Sequence, residues 1–166
     1  MKYHYIENAW CYCYNRSFWN KNNFKYMEGC IAEDYGLTPL IIAKAETIKS
    51  ISYIGYNYVQ RENSLMTNPD YNKKIQKMND MLKQAKFLKN ELKDIKNNNL
   101  FISFINNSLI YYCSCLKYRD YQKYFAILKK ENCFNHLKDK KLKAKIRNFM
   151  IKTNPYIFYN YIKRKK

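Results

Sequence analysis

The chain has 166 residues, and its 31 lysines and arginines against 13 acids give a net charge of +18. That length supports one core of ordinary size rather than two independent ones. The charge favours anionic partners, phosphorylated substrates, acidic headgroups or nucleic acid, although the surplus of Lys, Asn, Ile and Tyr is also what AT-rich codons produce.

Met1-Lys2-Tyr3-His4-Tyr5 has no apolar run, so no signal peptide is expected and a reducing, cytoplasmic setting follows. Residues 1–14 alternate tyrosine with polar residues up to Trp10-Cys11-Tyr12-Cys13-Tyr14, the pattern of a strand with two usable faces. Arg16 to Asn20 suggests one short helical turn, and Asn20 to Asn23 a loop. Met27 to Leu40 then places Glu28, Glu33 and Asp34 and two of the three glycines in a turn that runs into a helix. Thr38 before Pro39 predicts an N-cap with proline at the first helical position, and a helix from there to about Thr47.

Ile48 to Ile54 and Tyr56 to Arg61, either side of Gly55, read as two strands from their apolar and aromatic content. Asn68-Pro69-Asp70 breaks the pattern. Beyond it Ile75, Met78, Leu82, Ala85, Leu88, Leu92 and Ile95 recur at three- and four-residue steps, the period of an amphipathic helix with a lysine-rich outer face. Leu100 to Leu116 reads as a buried helix, too short and too polar for a membrane span. Two basic helices are expected at about 120–132 and 136–150. The end, Pro155 to Lys166, sets aromatics before a basic cluster, which suits either the surface of an anionic membrane or a solvated terminus. The six cysteines include two Cys-x-Cys pairs, but zinc sites use wider spacing around turns, so free thiols are expected.

The acidic turn has two readings. Glu33 and Asp34 either cap the helix, or Asp34, held ionised by the positive end of the helix dipole, serves as a proton acceptor. From Trp10 to Met66 the motifs run in order: an apolar-Trp strand, Tyr14-x-Arg16-x-Phe18, Phe24-x-x-x-Glu28-Gly29, Glu33-Asp34, and Tyr56-x-Tyr58-x-Gln60-Arg61-x-x-Ser64-x-Met66. In this order the stretch resembles the C-terminal half of the catalytic domain of family 2 glycosyltransferases, the bacterial type that builds polysaccharides and decorates cell surfaces. The resemblance covers about a third of the chain.

The resemblance implies an α+β fold: a partial GT-A domain of few strands and short helices over residues 1–68, followed by a helical, basic extension over 69–166. It implies transfer of a sugar from a nucleotide-sugar donor to a glycan or lipid-linked acceptor, with Asp34 as general base and Glu33 beside it. Arg61 falls at the family's basic position near the donor diphosphate, where a guanidinium fork suits phosphate oxygens, and Trp10 could stack on an acceptor ring. The family's divalent cation, Mg or Mn, is held by an Asp-x-Asp motif in the donor half. No Asp-x-Asp occurs in these 166 residues, so its ligands and the nucleotide site are expected elsewhere. The chain is then a fragment, a truncated product, or one half completed by a partner chain. The rival reading is a non-catalytic basic helical module that binds anionic lipid or nucleic acid. Nucleic acid is disfavoured, because the lysines are spread over several helices and no motif for it is present.

Overall fold

A computed structural model of the chain describes residues 8–59, 70–135, 145–146, 149–151 and 155–163. Among them every regular element is helical, and no strand or sheet is present. The expected α+β, partial GT-A architecture is therefore overturned. Two compact units are built within Met1–Asn98 and Asn99–Lys166.

In the first unit a single 3-10 turn, Ala9–Cys11, precedes α1, Arg16–Lys21. Asn15 starts α1 by accepting the Phe18 N–H on its side chain at 3.1 Å, a conventional N-cap. The second helix, α2, covers Glu33–Lys44, six residues earlier than the Thr38-Pro39 signal predicts. Ala32, left-handed at φ 60°, breaks the chain just before it, and two acids in the first turn suit the helix dipole. Thr38 is thus buried inside the helix, and Pro39 sits at its seventh position. An interior proline costs about 3 kcal/mol. Burial of Tyr35, Leu37, Leu40 and Ile41 on the same helix, at roughly 1.5–3 kcal/mol each, outweighs it.

The 21-residue α3, Tyr71–Glu91, begins at Asp70, whose side chain accepts the Asn72 N–H at 2.9 Å. Its expected apolar stripe is buried at Met78, Ala85, Leu88 and Leu92 and half-buried at Ile75, Leu82 and Ile95, with Met81 rather than Leu82 entering the core, and the helix packs on α2. At Gly36 the side chain of Gln84 lies directly against the α2 backbone. A Cβ there would overlap the side chain of Gln84.

The segments expected as strands are otherwise employed. Trp10 lies in the 3-10 turn, and residues 47–59 have no regular structure and are exposed throughout. β propensity is realised only where a neighbouring strand can take up the backbone hydrogen bonds, and no such neighbour exists among the described residues. The period of two survives only in Tyr56 and Tyr58, which both stack on Trp10.

The second unit contains α4, Asn99–Ser114, α5, Tyr118–Lys130, and α6, Pro155–Lys163. Ile105, Leu109, Cys113, Leu116, Tyr121, Leu128 and Phe158 are nearly fully buried. Tyr159 of α6 donates its hydroxyl to the Leu116 carbonyl at 3.2 Å and packs on the rings of Tyr118 and Tyr121. Most of the helix expected over 136–150 lies outside the described residues. None of the described helices is long and apolar enough to cross a membrane.

Candidate functional site

The acidic turn is held from below by α3. Asp80 and Gln84, one helical turn apart, grip the two sides of one residue. The Ile31 N–H donates to Asp80 Oδ2 at 2.9 Å, and Gln84 Nε2 donates to the Ile31 carbonyl at 3.1 Å. Gln84 is completely buried. The next residue, Ala32, is left-handed, a conformation that costs an alanine roughly 1–2 kcal/mol. That bend turns the chain into α2 with Glu33 and Asp34 as its first two residues. The strained residue and its clamp thus set the direction in which the two carboxylates leave the backbone.

Glu33 is exposed and Asp34 half-buried. Asp34 Oδ1 accepts the N–H of Tyr35 at 2.9 Å, and the Ala9 backbone N–H also bonds its carboxylate. Burial nonetheless pushes the Asp34 carboxyl above the usual range, and the Glu33 charge adds to the rise. The positive end of the helix dipole is thus not the largest influence on the Asp34 carboxyl. Desolvation exceeds what the N–H donors return.

The bond from Ala9 brings Trp10 toward the acidic turn, so three of the four sequence-derived site residues, Trp10, Glu33 and Asp34, come together. Trp10 stacks with Tyr56 and Tyr58 at ring separations of 5.3 and 5.2 Å, and all three rings stay at least two-fifths exposed. Arg61 lies outside the described residues. Tyr26 is a neighbour that sequence reasoning missed. Burial, then the charges of Asp34 and Glu33, raise its phenol above the ordinary value, which keeps it a neutral O–H beside two carboxylates. The buried hydroxyl of Tyr14 lies near Tyr26 and Thr38. Tyr26 also lines a groove of about 320 Å³ with Asn22, Phe24, Leu40, Lys44 and Phe87.

Among the described residues no three His, Cys, Asp or Glu side chains converge on a cation position, so the residues described do not fit the divalent ion that the resemblance implies. Among the described residues no cysteine is in a disulfide. Cys113, enclosed by the second unit's core, has its thiol pushed up to about 12 by burial, a value at which it is inert at neutral pH.

The clamp residues Asp80 and Gln84 were legible only as polar interruptions of an apolar stripe. Nothing in the sequence says that they reach back about fifty positions to Ile31. No family model, curated protein or solved structure matches this chain.

Proposed function

We propose that the chain carries the acceptor-side, base-supplying part of a sugar transfer from a nucleotide sugar to a glycan or lipid-linked acceptor, of the kind that family 2 glycosyltransferases perform. The observation that carries this reading is the Asp34 carboxylate, half-buried in the first turn of α2 and bonded through Ala9 to an exposed aromatic platform. A base is most effective when its pKa lies close to the working pH, and desolvation moves Asp34 in that direction. An acceptor sugar stacked on Trp10, Tyr56 or Tyr58 would present its hydroxyls close to the turn.

In the reaction, Asp34 takes the proton from the acceptor hydroxyl while that oxygen bonds to the anomeric carbon. The bond from that carbon to the donor's diphosphate breaks, and the diphosphate leaves with the electron pair. Glu33 favours the protonated state of its neighbour through its charge. Arg61 enters by motif position alone, as the cation for the departing diphosphate. No step of this chain's residues runs through a metal. The donor-binding half would be supplied by a partner chain. Motif order supports the reading, while the helical architecture departs from the α+β fold of that family.

The test is calorimetric titration of the full chain with short oligosaccharides, followed by nucleotide-sugar turnover in a version with the donor-binding half restored and Mg or Mn added. Trp10→Ala should weaken acceptor binding about tenfold, the loss of about 1.4 kcal/mol of stacking. Asp34→Asn should leave binding intact and lower turnover by about 10²–10⁴-fold. Absence of oligosaccharide binding, or turnover indifferent to Asp34→Asn, would sink the proposal.

A further inference from the structure

The chain's charge is unevenly divided. Residues 99–166 hold 16 lysines and arginines against 3 acids, so the second unit carries +13 of the total +18. Within it α6 has two faces. Phe158 is 2% exposed, and Tyr159 is tied to the Leu116 carbonyl, so this side of the helix is fixed to the core. Tyr156, whose ring meets that of Tyr118 edge-on at 5.3 Å, and Ile157 are still 55% and 51% exposed. At 3.6 residues per turn, Asn160 and Lys163 fall within about 40° of Tyr156, and Ile157 lies on the adjoining strip. The sequence continues directly as Arg164-Lys165-Lys166.

We propose that this face of α6 docks on the surface of an anionic lipid bilayer, with Tyr156 and Ile157 entering the boundary between headgroups and acyl chains and Lys163 meeting lipid phosphates. A tyrosine places its ring in the apolar layer and its hydroxyl among the headgroups. Each nearby cation adds about 1 kcal/mol on an anionic leaflet. Charge complementarity selects the occupant, because a unit with 3 acids among 68 residues repels a basic partner and a second copy of itself. Nucleic acid would satisfy the cations equally well, but it offers no reward for an exposed Ile157, which has neither a π face to stack on a base nor a group to bond one. A lipid surface rewards it directly. The inference stands independently of the sugar-transfer reading.

The experiment is co-sedimentation of the full chain with vesicles of phosphatidylcholine containing about one third phosphatidylglycerol, against vesicles of phosphatidylcholine alone. Binding to the anionic vesicles should be at least about tenfold tighter and should weaken as salt is added. The double variant Tyr156→Ser, Ile157→Ser should lose about tenfold in affinity with an unchanged circular dichroism spectrum. Lys163→Gln should lose about fivefold, and it decides the matter if the double variant does not fold. Equal binding to both vesicle types, binding to neither, or anionic binding untouched by both variants overturns the proposal. So does tight binding to double-stranded DNA that survives both variants while vesicles are ignored.

Discussion

Asp34 shows how a carboxylate at a helix N-terminus can be harder to ionise than one in water. The dipole and the N–H donors of Tyr35, Ala9 and Asp34 itself favour its charge, yet burial and the adjacent Glu33 charge oppose it more strongly. Because folding raises this pKa, the folded chain holds the proton more tightly than the unfolded one. Stability is therefore unaffected below the ordinary carboxylate range near pH 4 and is lost as pH rises through the raised value. Asp34→Asn, which can still accept the Tyr35 N–H, should raise the melting temperature at about pH 7, and the advantage should disappear by about pH 3. A melting series across that range decides it. The same substitution that abolishes the base should thus stabilise the fold. Asn106 presents a second residue-scale cost. It is wholly buried on α4, with neither Nδ2 nor Oδ1 hydrogen-bonded. Asn106→Leu should stabilise the protein by about 1–3 kcal/mol, read by urea denaturation.

At the scale of elements, the α2–α3 pair determines where the acids point. Gly36 leaves room for the Gln84 side chain of α3, and that side chain is the one that holds Ile31. Gly36→Ala should therefore destabilise by about 2 kcal/mol, although alanine is the better helix former by about 1 kcal/mol, because Gln84 must leave its bond to make room. Denaturant unfolding checks the sign, and a stabilised variant would mean that Gln84 can move aside. Ala32→Gly should instead gain about 1 kcal/mol by relieving a left-handed alanine at φ 60°. Together the two substitutions separate the strain of the bend from the contact that maintains it.

At the scale of the whole molecule, electrostatics dominates. A chain at +18 with 13 acids repels itself when compact, and the repulsion is concentrated in the residues of the second unit. Raising NaCl from about 0.05 to about 0.5 M shortens the screening length from over 10 Å to a few Å. The melting temperature should rise across that range. A protein stabilised chiefly by surface ion pairs would show the opposite slope.

Periodicity located α3, since an apolar stripe at helical spacing has no other way to leave water, the nearly unbroken apolar run from Leu100 to Leu116 located α4, a basic helix was expected over most of α5, and the short turn at Arg16 was legible from its local composition. The order of motifs that singled out Glu33, Asp34, Arg61 and Trp10 was also present in the sequence. Tertiary structure decided what the local signals could not. Thr38-Pro39 reads as a helix start, yet the burial of Tyr35, Leu37, Leu40 and Ile41 draws the helix past it. The segment at 48–59 reads as strand, yet strand is a relation between two segments and no partner pairs with it among the described residues. The contact between Asp34 and the residue before Trp10, and the grip of Asp80 and Gln84 on Ile31, join positions roughly 25 and 50 apart in the chain. Propensity and capping act over a few residues, whereas the desolvation that tunes Asp34 exists only once those distant segments have closed around it.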